Sequence, residues 1–165
     1  MHRVLQTYTR TNILRGMTVY AVGDTVAMII LGKFVVWRVL GMIVVGGVLY
    51  ALEIPAYFAW IARTTAELTQ WRGALARTAL AWAYFNPLWI ARHLVFVKIF
   101  SGAWSDVSWA LLTTASYSFL GSIPISLVGN FIIQNRLPER HRFLGSAIFS
   151  GLTAVYYALS AVWFA

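Results

Sequence analysis

The stretch Val39–Ile61, VLGMIVVGGVLYALEIPAYFAWI, carries one charged residue, Glu53, in 23 positions. As a helix it measures about 35 Å, more than the ~30 Å hydrocarbon layer of a bilayer. A run this long and apolar reads as a membrane-spanning helix, because in lipid each backbone amide must find its partner inside the segment. Gly41, Gly46, Gly47 and Ala51 keep part of it slim, and Pro55 should bend it.

Four further stretches of the same kind flank it: Ile13–Leu31, Leu75–Phe100, Val107–Ile133 and Phe143–Ala165. The expected fold is therefore all-α, a polytopic transmembrane helix bundle of about five spans, with residues 1–165 forming one domain. A mean hydropathy of +0.71 with 11% charged residues excludes an ordinary globular core. A transmembrane barrel is excluded too, since no ~10-residue segments of alternating polarity occur. Trp37, Trp60, Trp71, Trp104, Trp109 and Trp163 fall near the span ends, as an aromatic belt requires. The connection at 62–73, with Leu68 and Trp71 among polar neighbours, reads as a short interfacial helix.

Charge sets the orientation. With five spans, the N-terminus and the second and fourth connections share one side, which holds Arg3, Arg10, Arg15, Arg63, Arg72, Arg77, Arg136, Arg140 and Arg142. The other side holds Lys33, Arg38 and Lys98. Cationic loops resist translocation, so the N-terminus is expected inside and the C-terminus outside. The net charge of +8 lies at span ends rather than on a soluble nucleic-acid-binding motif. Its expected partners are anionic lipids such as cardiolipin, held by Arg63, Arg72, Arg77, Arg136, Arg140 and Arg142, and not nucleic acid. The basic, hydroxylated, acid-free opening Met1–Arg10 resembles a mitochondrial targeting start, but the same pattern marks any positive-inside flank, which is the better explanation of it.

Small residues mark where helices touch. Gly16, Tyr20, Gly23 and Ala27 recur at 4-3-4 spacing in the first span, with Thr11-Asn12 as its expected cap. Ala147, Gly151, Ala154, Ala158, Ala161 and Ala165 make an uninterrupted 4-3-4-3-4 seam in the last. Such faces let backbones approach closely where no hydrophobic force separates helix from lipid.

Ionisable groups inside spans are functional candidates by default. Asp24, Glu53, Arg92 and His93 qualify, and with Asn86 and Asn130 they read either as a polar pathway or as buried ion pairs pinning the bundle. Asp24 lies about 16 Å and Arg92 about 22 Å from the inner ends of their spans, a difference within reach of an extended Arg, so an Asp24–Arg92 pair is feasible. Asn86-Pro87 should kink the third span. With no cysteine, and with His2, His93 and His141 dispersed, no metal or cofactor is expected. No G-x-S-x-G elbow, phosphate loop or dinucleotide fingerprint occurs, so no enzymatic activity is expected.

Several of these residues stand in a familiar order. Gly23-Asp24-Thr25, Pro55 with Trp60, Phe85-Asn86-Pro87, Pro124 through Asn130-Phe131, Pro138 with Arg142, and Tyr157-Ala158-Leu159-Ser160 together resemble the Mpv-seventeen/peroxisomal membrane protein family. Phe58, Ile123 and Leu127 stand where that family carries His, Trp and Gln. The resemblance implies a small protein of the mitochondrial inner or peroxisomal membrane, with a poorly selective channel or a homeostatic role.

Two functions follow as expectations. The first is a non-catalytic accessory subunit of a larger respiratory or ATP-synthase type complex in the mitochondrial inner membrane, packing other membrane subunits and binding anionic lipid. The second is a stand-alone channel for small solutes, in a mitochondrial, peroxisomal or bacterial inner membrane.

Overall fold

Thr9 opens the first helix: its extended backbone turns into the helix and its hydroxyl accepts from the Asn12 amide at 3.2 Å. The cap is thus Thr9 rather than Thr11-Asn12, because α1 (Arg10–Ile30) begins two residues earlier than a cap at Thr11 allows. The protein is described here by a computed structural model, covering residues 6–163, with side chains from residue 157 onward and that of Ala154 outside the description. Arg3, Ala154, Ala158, Ala161 and Ala165 therefore lie outside the described residues or side chains.

The chain then forms α2 (Val36–Val44), a π-helical turn (Val45–Tyr50), α3 (Ala51–Thr64), α4 (Gln70–Tyr84), α5 (Pro87–Phe100), α6 (Ala110–Asn135) and α7 (Glu139–Trp163). No strand occurs among the described residues. Three helical stretches there are long and apolar enough to cross a membrane: Arg10–Ile30, the continuous Val36–Thr64, and Ala110–Asn135.

Two sequence expectations are corrected. The span expected at Leu75–Phe100 is broken rather than kinked. A residue before proline avoids the helical region, and Asn86 is extended (ψ 175°) with Pro87 at the first position of α5. The Asn86 side chain then accepts from the amides of Leu88 and Trp89, restarting the helix. The interfacial helix expected at 62–73 is absent. Instead α3 runs on to Thr64, where the hydroxyls of Thr64 and Thr65 accept no cap but donate back to the Trp60 and Ile61 carbonyls. A tight turn follows, and α4 starts after the extended Thr69. Pro55 lies inside α3, and the π turn, Val45–Tyr50, ends immediately before Ala51. That is the residue four before Pro55, whose carbonyl the proline ring would otherwise strike.

Packing explains the small residues. α1 lies against α7 and the π turn, while α4 and α5 both pack on α6. At one crossing Gly16 meets Gly46, each facing the other's carbonyl, so that a Cβ on either would collide with backbone. At the other Gly23 meets Gly151, where a Cβ on Gly23 would lie 2.6 Å from the Gly151 Cα. Ala147, on the same seam, is fully buried. The described part of the α7 seam is thus occupied by the chain's own first helix.

Candidate functional site

Two ion pairs lie inside the bundle, and neither is the one the sequence suggests. Asp24 is paired with Arg38, whose Nε and Nη2 donate to the two carboxylate oxygens at 2.8 and 2.5 Å. Arg38, assigned from sequence to the outer connection, is buried with Asp24. The turn at 31–35 is short, so α2 returns antiparallel beside α1. Asp24 lies about 9 Å before the end of α1 and Arg38 about 3 Å into α2, a gap that an extended guanidinium closes. Arg92 instead pairs with Glu53 through Nη1 and Nη2, and Glu53 also accepts from the Tyr84 hydroxyl. Linear depth along two helices cannot say which faces them across the bundle, and that is why the Asp24–Arg92 expectation fails.

Between the two pairs sits Tyr50, the last residue of the π turn and fully buried. Its hydroxyl is hydrogen-bonded to His93 Nδ1 at 3.0 Å. Its ring packs on Tyr20 and Trp89, and the Arg92 guanidinium lies 5.7 Å from its centroid. Trp89 stacks on His93 with ring planes 2° apart. His93, expected among the pathway residues, is therefore a buried, partnered histidine behind the Glu53–Arg92 pair. Sequence reasoning passed over Tyr50 and Arg38. A polar-tipped Tyr at mid-span beside two glycines was the available signal for the first. For Arg38 the signal was an unmatched Asp24 just before a short turn.

The Glu53–Arg92 pair is not sealed. An open cleft of about 770 Å³ exposes it, walled by Leu52, Ala56 and Tyr57 of α3 and by Tyr84, Asn86 and Trp89 at the break between α4 and α5. The side chains of Arg92 and Glu53 are 35% and 26% exposed, against 11% and 2% for Arg38 and Asp24. Glu53 lies about 16 Å from the C-terminal end of a 29-residue helix, so the cleft reaches the middle third of that helix. Of the expected polar set, the fold brings Glu53, Asn86 and Arg92 to the cleft and puts Asp24 and His93 behind it. Asn130 stands apart, its amide donating to the Ser126 carbonyl of its own helix.

A second cavity of about 390 Å³ lies on a different face of α3, among Asn12, Arg15, Pro55, Phe58, Glu139 and Arg140. The basic residues expected at headgroups divide into two kinds. Arg63, Arg72, Arg136 and Arg140 are exposed. Arg77 and Arg142 are half-buried and tie the loops, donating to the Asn135 side chain and the Leu137 carbonyl.

Apolar helices of spanning length with charge pairs held inside define the class: an all-helical protein fit for a membrane. Comparison with protein-family models, with curated proteins and with solved structures gives no match.

Proposed function

We propose that this chain is a self-contained, non-catalytic integral membrane protein that takes a small polar solute into the Glu53–Arg92 cleft and acts as a conduit for it. One observation carries the reading. A half-exposed ion pair stands in an open cleft at the break of a helix, where a purely structural pair would be closed off as Asp24–Arg38 is. Irregular backbone at membrane depth is tolerated where it lines a cavity, and discontinuous helices in membrane proteins recur at solute sites. The small-residue faces at Gly16, Gly23 and Gly151 meet within the chain, so they need no second subunit to explain them. The resemblance to the Mpv-seventeen family leads toward the same class of activity.

Five crossings are proposed, the broken α4–α5 pair counting as one, with the N-terminus inside. The charge asymmetry supports this more strongly with side chains in place. Of the three outer cations, Arg38 is turned inward onto Asp24 and Lys98 is paired with Asp106 at 2.7 Å. A mitochondrial inner membrane, with cardiolipin at the exposed arginines, fits that orientation and the basic N-terminal segment.

An accessory role in a larger complex is the second reading. It is favoured by the exposed apolar flank of α1 at Leu14, Val22, Ile29 and Ile30, and that of α6 at Leu120, Ile125 and Val128. Extraction in mild detergent separates the two. A monomer or small homo-oligomer that makes liposomes permeable to small polar solutes, with permeability lost in Glu53→Leu/Arg92→Leu, supports the conduit. A particle of several hundred kilodaltons with no permeability in liposomes supports the subunit.

A further inference from the structure

The cavity of about 390 Å³ on the other face of α3 has an apolar floor and a polar mouth. Its floor is made by Pro55, Phe58 and Phe143, all buried, and a proline presents no backbone N–H to a ligand. Pro55 and Ala59 lie about 14 and 8 Å from the C-terminal end of α3, so the floor stands deeper than the basic turn into which α3 runs. Such a floor offers nothing to a polar group and suits an acyl chain.

The mouth differs in kind. Exposed Arg140 and Glu139 of α7 and half-buried Arg15 of α1 line it. Thr9 and Asn12 stand beside them, already spent on the first turn of α1. Arg15 Nη1 donates to the Arg140 carbonyl at 3.0 Å, and Arg140 Nε donates to His141 Nε2 at 3.2 Å. Those bonds take about one of the five N–H donors on each guanidinium. Both bonds lie at exposed positions, and no nitrogen of either arginine is sealed without a partner, so the remaining donors are open to a ligand. Among the described residues no ion pair includes Arg15, Arg140 or Glu139.

Two guanidiniums against one carboxylate leave a single positive charge unanswered beside an apolar floor, where a counter-charge is worth more than in water. The first turns of α1 and α7 both contribute lining residues, and helix N-termini add to the preference for an anion. The volume is near the lower end of the ~300–1,000 Å³ range of small-ligand pockets, room for a headgroup and the upper part of one chain.

We propose that this cavity binds one amphiphile carrying a single negative charge, with its headgroup on Arg15 and Arg140 and its acyl chain against Phe58 and Phe143. The inference goes beyond anionic lipid spread over exposed arginines, because it fixes one position and joins α1, α3 and α7 through it. It is independent of the conduit reading, whose cleft lies on a different face of α3. Two sources share the chemistry, a free fatty acid and a phosphatidylglycerol that places one chain in the cavity.

The test is native mass spectrometry of the delipidated full chain in an uncharged polyoxyethylene detergent, titrated with palmitate and with phosphatidylglycerol. Hexadecanol and phosphatidylcholine are the partners without net charge. The first equivalent of at least one anionic amphiphile should bind roughly tenfold more tightly than its uncharged partner, the difference expected for one charge-assisted hydrogen bond. Palmitate alone identifies a free fatty acid, phosphatidylglycerol alone a membrane lipid, and both together a site that reads only charge and chain. Arg140→Gln should weaken that first equivalent roughly tenfold, whereas Arg63→Gln/Arg72→Gln, which removes more charge away from the cavity, should leave it unchanged. Ala59→Leu, which narrows the cavity without altering its charge, should weaken it as well. Equal binding of charged and uncharged amphiphiles overturns the assignment. So does a first equivalent indifferent to Arg140→Gln and Ala59→Leu, or one weakened as much by Arg63→Gln/Arg72→Gln. Loss of liposome permeability in Glu53→Leu/Arg92→Leu bears on the cleft alone, so the two readings can fail separately.

Discussion

Alanine at Gly23 and alanine at Gly151 should differ sharply, although the two residues face each other. A Cβ on Gly23 would sit 2.6 Å from the Gly151 Cα and 3.1 Å from its carbonyl oxygen. Both are backbone atoms, so relief requires α1 and α7 to separate by about an ångström, loosening contacts along both helices. Overpacking of this kind costs about 1–3 kcal/mol, and the absence of a flexible neighbour argues for the upper half of that range. A Cβ on Gly151 meets the Gly23 Cα and the Val19 carbonyl oxygen at 3.6 Å, ordinary contact. Each substitution gains up to about 1 kcal/mol of helix propensity, a term that cancels in the comparison. Gly23→Ala should therefore lose about 1–2 kcal/mol net, while Gly151→Ala is neutral or gains up to about 1 kcal/mol. Reversible unfolding in mixed micelles, followed by circular dichroism, measures both. Equal losses, or a larger loss at Gly151, would refute the asymmetric crossing from which the numbers come.

Other consequences are as direct. Asp24→Asn strands the buried Arg38 and should cost about 3–5 kcal/mol, most of it regained in Asp24→Asn/Arg38→Met and none in Asp24→Asn/Arg92→Leu; unfolding of the four proteins decides which arginine is the partner. Asn86→Ala removes the acceptor of two amides at the start of α5 and should cost about 1 kcal/mol, with hydrogen exchange accelerated at Leu88 and Trp89 before it rises elsewhere. Asp106, in the turn between α5 and α6, has its carboxyl held below the ordinary value, first by its bond to Lys98. A lowered folded-state pKa stabilises above the unfolded carboxyl pKa and is lost as pH falls through the folded value. The acid limb of a stability profile should therefore flatten in Asp106→Asn, and high salt should flatten it in the parent chain.

Helix and span were written in single stretches of sequence, because lipid leaves the backbone no other way to satisfy its amides. Val39–Ile61 lies inside one continuous helix, and Gly16, Gly23 and Gly151 are at close crossings because small residues carry their packing role with them. Asn86-Pro87 announced an interruption, and local sterics turned the expected kink into a break with its own cap.

Partnership was not. Which acid meets which arginine depends on how far each helix is rotated about its axis and which neighbour it faces, and one-dimensional depth contains neither. The tertiary structure gave Asp24 to Arg38 across a short turn and Glu53 to Arg92 across the α3–α5 contact. It also opened the cleft, because a helix broken at Asn86 cannot cover the face of α3 that Glu53 presents. Sequence by itself determined the all-helical class and the small-residue faces, both set by interactions local in the chain. The pairing of the buried charges and the central place of Tyr50 came only with the packing, because each depends on groups some 14 to 43 positions apart.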